Sequence, residues 1–304
     1  MTTRTADRAF RLTTQAAAGV VLVVVLAIGA FLVNRAVPAL RADTANFLTE
    51  TSWFPDQAKP VFGIAALAFG TLVSSMLALL LAVPVAVGTA LFVAHYAPRR
   101  LARLLGFLVD LLAAVPSVVY GLWGLYFLKT HVNDVAGWLD RHFGSVLTPL
   151  HSSTGTYGGS LFLAGIVLAI MILPIISAIV REVFLQVPRA NIEAALALGA
   201  TRWEAMRLAV LPYGRPGIVS ASMLGLGRAL GETIAVALLL STSYDISWHI
   251  TQPGGATFAA NIALKFNEAG GTGRGALIAS GLVLFVITLL VNGVARAVVR
   301  RPTL

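Results

Sequence analysis

Long apolar runs alternate with short polar intervals rich in arginine. The runs predict six transmembrane helices at about 12–36, 66–95, 104–128, 159–180, 217–240 and 276–296. Each is close to the roughly 20 residues that cross the hydrocarbon core as an α-helix. The second run is ambiguous, because Pro60 to Ala94 is 35 residues without a charge. That is too long for one straight span and too short for two with a turn. A short interfacial segment leading into a long helix bent near Pro84 accommodates it. Pro116 and Pro174 fall inside the third and fourth runs, where proline is tolerated and often marks a bend.

The polar intervals set an orientation. The N-terminus, the second and fourth connections and the C-terminus carry fourteen lysines and arginines, against seven in the alternate connections. By the positive-inside rule both termini are predicted cytoplasmic. The first run follows Arg4, Arg8 and Arg11, and its uncharged stretch Leu12–Asn34 has 23 residues. A secretory signal has only about 7–15 apolar residues, and no small-x-small cleavage site follows, so a retained first span is expected.

Two predicted outer loops are long enough to hold structure. In 129–158, Val132, Val135, Trp138 and Leu139 form an apolar stripe at helical spacing, and Ala256–Phe266 in loop 241–275 reads as a second interfacial helix. Surface packing and docking of an external partner both fit these loops. Trp53, Trp138 and Trp248 sit where interfacial anchors belong.

Composition removes several classes of function. With 58% hydrophobic and 12% charged residues, and a mean hydropathy of +0.85, a soluble core is excluded. The net charge of +9 is spread between apolar runs, so it reads as topology rather than as a nucleic-acid footprint. There is no cysteine for a thiol nucleophile or cluster, and the histidines have no metal-ligand spacing on a helix, so no metal is expected. Only Lys59, Lys129 and Lys265 are lysines, and none completes a P-loop. The chain is therefore not expected to be an enzyme.

Between the fourth and fifth runs lies "EAALALGATRWEAMRLAVLPYGRPG", residues 193–217. Alanines and leucines favour a helix, and Gly199 offers its stop. Thr201 and Glu204 then fit a capping box that starts a second helix presenting Trp203, Met206, Arg207 and Val210, with Pro212 as its expected end. This helix–glycine–helix element carries more apolar residues than a free loop needs.

The pattern resembles the EAA loop of ABC importer permeases at Glu193, Ala194, Ala195, Gly199, Leu211 and Pro212; Ala209 departs from the family, which usually has isoleucine there. The resemblance implies that 191–215 couples the membrane helices to a separate ATPase dimer, which would bind ATP and magnesium.

A second stretch, "GRALGETIAV" at 227–236, puts Arg228 and Glu232 inside the fifth run. Charges near the bilayer centre are costly and default to function. Gly227 and Gly231 form a G-x-x-x-G step, and Ala221 and Gly225 a second small-residue step, which suit close helix approach. An arginine fork suits an oxyanion, whereas Glu232 can either hold Arg228 when the site is empty or accept a hydrogen bond from a protonated substrate. Asp110 is a third intramembrane charge, read as either a partner of a cytoplasmic arginine such as Arg103 or part of a pathway.

"GLGRALGETIAV" (225–236) and "LLAAVPSVVYGLWGL" (111–125) resemble phosphate-specific importer permeases, the PstC-type subunit in particular. This implies an all-α, six-helix, type I (MetI-like) permease fold with one extra N-terminal helix. It divides the chain into 1–62 (tail, first helix, outer loop), a permease domain at 63–296 and a tail at 297–304. The resemblance further implies a PstA-type second permease, an external phosphate-binding protein and phosphate passage by Arg228 and Glu232 in a bacterial inner membrane. Sulfate and molybdate permeases share the A-L-G-E run, so another oxyanion stays open. A secondary anion transporter would use the same charges without needing an EAA loop.

Overall fold

The computed structural model describes residues 2–300, so the last four residues of the 297–304 tail lie outside it. The fold is helical, with one two-stranded hairpin of β1 (Trp53–Phe54) and β2 (Val61–Phe62). Its centre is a pair of helices running in the same direction, α2 (Ala65–Leu91) and α6 (Leu161–Leu185), with Gly165 of α6 against Leu77 of α2. On α2, Ala78, Ala82, Ala86 and Ala90 recur every four residues and are all buried. Small side chains at that spacing let another backbone come close, the usual device where lipid removes the hydrophobic drive between helices. On α6, Leu163, Val167, Ile172, Ile176, Val180 and Phe184 are buried, which makes α6 the core of the bundle. Ser160 starts α6 by accepting a hydrogen bond from the Leu163 amide.

The long second run resolves differently from expectation. The short segment before α2 is the second strand of the hairpin, and Pro84 sits within one helix that runs on through a π turn, Phe92–Tyr96. The third run also departs from a single span. Helix α3 (Arg99–Ala113) ends at Ala114, and α4 (Ser117–Trp123) starts behind Pro116 and continues through a π turn into α5 (Lys129–Phe143). The two parts meet at 92°. Proline disfavours helical backbone in the residue before it, and no neighbour re-forms the ladder across Val115.

Beyond α6, two short helices α7 (Arg189–Ala197) and α8 (Arg202–Ala205) lead through a π turn into α9 (Leu211–Leu230). The fifth run is then broken before α10 (Ile234–Leu239), and α11 (Phe258–Lys265) and α12 (Gly271–Arg300) complete the chain. Among the described residues four helices are long and apolar enough to cross a membrane, or five if the bent pair counts as one. The expected fifth span fails that test because its charges and its break shorten the apolar stretch.

Helix α1 (Thr2–Ala42) packs on α12, with Ala39 against Gly275 and Gly29 near Phe285. Its other side chains from Phe10 to Val24 are largely exposed, as befits a helix bathed in lipid. The connections α2–α3 and α6–α9 lie at one end of the bundle, the basic end. The hairpin, α5, α11 and their loops lie at the far end. There Asp140 accepts hydrogen bonds from the Tyr157 hydroxyl (2.7 Å), His151 (2.9 Å) and the Ser152 amide (3.1 Å). The Tyr157 hydroxyl foremost holds the Asp140 carboxyl below the usual range, so this clasp is in place at neutral pH and weakens only as acid protonates it.

Asp56 of the hairpin joins two ends of the chain. Its Oδ2 accepts from the Gly270 amide (2.9 Å) and its Oδ1 from the Gly273 amide (2.8 Å), capping α12 across more than two hundred residues. A Cβ at Gly273 would clash with this carboxylate, which accounts for the glycine. Asp56→Ala should cost about 1 kcal/mol, the usual loss for a cap, read as a lower melting temperature of the purified chain. An unchanged melting temperature would show the cap to be idle.

Candidate functional site

The fifth run carries the charges, and its break determines how they are placed. Helix α9 stops at Leu230, Gly231 takes a non-helical ψ, and the Thr233 hydroxyl turns back to the Gly231 carbonyl (3.1 Å). Glu232 sits in this gap, only 8% exposed, and its Oε1 accepts the Ala235 amide (3.3 Å) at the start of α10. Arg228, still on α9, is exposed. No ion pair joins them among the described residues. A pair four residues apart needs an unbroken helix between its members, and the break falls one residue before Glu232.

The small-residue steps divide their work. Ala221 and Gly225 are buried, and a Cβ on Gly225 would strike Ile176 of α6 at 2.8 Å. Among the described residues, no atom outside α9 lies within 4 Å of a Cβ built on Gly227 or Gly231. The G-x-x-x-G side, with Arg228 between its glycines, is open in the single chain.

Helix α4 forms the adjacent wall. Gly121 packs on the Ala235 backbone, and the Cβ it lacks would stand 2.7 Å from the Ala235 Cα. Tyr120, one residue earlier, lies within electrostatic reach of Arg228 and donates its hydroxyl hydrogen to the Leu112 carbonyl (2.8 Å). It thereby spans the α3–α4 corner. Sequence reasoning passed over Tyr120, although it stands in the quoted stretch 111–125. A tyrosine in a span has many uses, and only the fold brings it within electrostatic reach of Arg228.

Asp110 stands apart from this site. It pairs with Arg181 of α6 at 3.5 Å, not with Arg103, and Arg181 also meets Glu182 at 3.1 Å. Arg181 reaches Asp110 by crossing Gly106, whose missing side chain leaves room for the guanidinium.

At the basic end, α7 presents Glu193, Ala194 and Ala195, and Gly199 takes φ +88°, a conformation that strains any residue with a Cβ. The capping box is formed in both directions: the Thr201 hydroxyl oxygen accepts the Glu204 amide (3.3 Å), and Glu204 accepts the Thr201 amide (2.7 Å). These bonds hold the Glu204 carboxyl below its usual range. The cap is complete at neutral pH and is lost as pH falls through that lowered value.

Pro212 does not end the helix as expected. The π turn Met206–Val210 rewires the ladder just before it, so α8 passes into α9 and the two form one continuous helical path from Arg202 to Leu230. Leu198, Leu208 and Tyr213 are exposed around an open hollow of about 1070 Å³, Leu198 at 90%, and Trp203 is exposed on the same loop. Together these side chains leave an uncovered apolar patch at the basic end.

Comparison with known proteins agrees with this geometry. Residues 82–303 match the family described as binding-protein-dependent transport system inner membrane component. The chain is 50% identical over 301 residues to the phosphate transport system permease protein PstC 2 of Mycobacterium tuberculosis, covering 97% of this chain and 92% of that one. It is 47% identical over 272 residues to the phosphate transport system permease protein PstC of Mycobacterium leprae, covering 88% and 85%. Among solved structures, a bacterial ABC transporter that imports alginate aligns with a TM-score of 0.56 at 21% identity, over 79% of this chain and 80% of that one. The MetNI methionine transporter aligns at 0.51 and 20% identity, over 79% and 95%. These two likenesses establish the type of fold alone.

Proposed function

Because this chain belongs to the binding-protein-dependent transport system inner membrane components, we propose that it is the phosphate-conducting permease subunit of an ATP-driven importer. Such a permease is a multi-pass inner-membrane protein that works with a second permease, an ATPase and an external binding protein. ATP hydrolysis belongs to the ATPase subunit, not to this chain.

The observation that carries the reading is that the exposed loop and Arg228 stand on one continuous helical path. From Glu204 to Arg228 is 24 residues, about 36 Å at the α-helical rise, a lever from the membrane surface to its interior. An ATPase subunit grips the loop through Leu198 and the surrounding hollow. When ATP closes the ATPase dimer, the lever moves and alters which side of the membrane Arg228 faces.

The open glycine side of α9 receives the second permease, of the PstA type, so the pathway forms between the two. Arg228 offers phosphate two parallel hydrogen bonds and a full charge, and Tyr120 lines the adjacent wall. Glu232 caps α10 and keeps the span broken there, which sets where Arg228 is presented. The basic end is cytoplasmic by the positive-inside rule, with both termini inside and the Asp140 clasp outside, where the binding protein docks.

The relatives' substrate supports phosphate over other oxyanions. The reconstituted complex should take up labelled phosphate with ATP, and unlabelled phosphate should compete far better than sulfate or molybdate. Equal competition by sulfate would make this a permease for another oxyanion. Uptake that followed an ion gradient and ignored ATP would make it a secondary transporter.

A further inference from the structure

Helix α3 has no part in this transport scheme. Its fifteen residues are strongly amphipathic, with Leu101, Leu104, Leu108, Leu111 and Leu112 on one side and Arg99, Arg103, Gly106 and Asp110 on the other. At fifteen residues, about 22 Å, it is too short to cross the hydrocarbon core by itself. It stands at 92° to α4–α5, and both Gly106 and Asp110 meet Arg181, four residues from the basic end of α6. It therefore lies along the membrane surface, as an interfacial helix does. Its polar side is held to the protein by Arg181. Its apolar side is uncovered, with Leu101, Leu104, Phe107, Leu108, Leu111 and Leu112 between 38% and 62% exposed.

Arg99, Arg100 and Arg103 are also exposed, and none has a carboxylate partner among the described residues. Arg99 and Arg100 stand in the first turn, where basic charge opposes the helix dipole, so these two do not serve the stability of α3 itself. Three guanidinium forks beside an apolar helix face complement one kind of surface: lipid phosphates above acyl chains.

We propose that α3 is a binding surface for anionic phospholipid of the cytoplasmic leaflet, with its leucines among the acyl chains and Arg99, Arg100 and Arg103 on the headgroup phosphates. The contact reaches the transport site through two links. Asp110–Arg181 ties α3 to the central helix, and the Tyr120 hydroxyl on the Leu112 carbonyl ties it to the wall beside Arg228. Anionic lipid thus steadies one wall of the pathway and promotes transport.

The test uses the assembled complex in phosphatidylcholine nanodiscs with and without phosphatidylglycerol. Association of phosphatidylglycerol, read by native mass spectrometry, should fall roughly tenfold in the triple variant R99Q/R100Q/R103Q. The triple lysine variant, which keeps the charge, should retain most of it. In vesicles, phosphatidylglycerol should raise ATP-driven uptake several-fold for the unaltered complex but not for the glutamine variant. Undiminished association in the glutamine variant would overturn the proposal, as would an equal uptake response. So would a spin label at Leu108→Cys shielded from a lipid-phase quencher, because the second permease would then cover the leucines. Lipid association is read without transport, so an error about the carried anion leaves this result standing.

Discussion

Arg228→Gln is expected to abolish phosphate uptake while the complex still assembles. The substitution removes a full charge and the paired donors that an oxyanion needs. Truncating one member of a desolvated charge–hydrogen-bond contact costs about 2–5 kcal/mol, or roughly 30-fold to several thousand-fold in rate. Folding should be spared, because Arg228 is exposed and has no ion-pair partner among the described residues of its own chain. Arg228→Lys keeps the charge but loses the planar fork, so it should restore only part of the activity. The measurements are labelled uptake in proteoliposomes and recovery of all subunits on a tag carried by the ATPase. Uptake that survived Arg228→Gln would remove this residue from the pathway.

The second large effect is expected at the loop that leads into the same helical path. Leu198 is 90% exposed at the loop tip, and docking would bury it. Burying a leucine contributes about 1.5–3 kcal/mol, so its loss alone weakens ATPase binding roughly 10- to 150-fold. Leu198→Asp adds the cost of an unpaired carboxylate in the interface and should release the ATPase subunit altogether. Recovery of the permease pair without its ATPase, with transport lost, is the expected outcome. Leu198→Met should be nearly silent, because it refills the same volume without a polar group. Full ATPase retention by the aspartate variant would place the docking surface elsewhere. The two experiments separate cleanly, since one variant loses the anion with the complex intact and the other loses the complex with Arg228 intact.

Much of this protein was legible without coordinates, and the legible part is the local part. Membrane residence follows from composition, because apolar runs of this length have nowhere else to go. Within the loop 193–217 the Thr201–Glu204 box and the helix stop at Gly199 were legible, because both depend on neighbours a few positions away. Arg228 stood out because a charge in an apolar run is costly wherever the run packs.

What the tertiary structure alone decided involves distant residues or competing backbone choices. Hydropathy counts apolar residues but not the direction of the helix that carries them, so α3 and α4–α5, which meet at 92°, read as one span. The partner of Asp110 is 71 residues away on α6, beyond any periodicity argument. Pro212 has the local chemistry of a helix stop, yet a π turn carries the helix through it. The spacing of four left open that Glu232 holds Arg228, which needs an unbroken helix between them. The chain breaks between them, Glu232 turns in to cap α10, and Arg228 is left facing outward. The sequence alone determined that the two charges lie in the membrane; the break at Gly231, stabilised by contacts of α10 with α4, decided that they act apart.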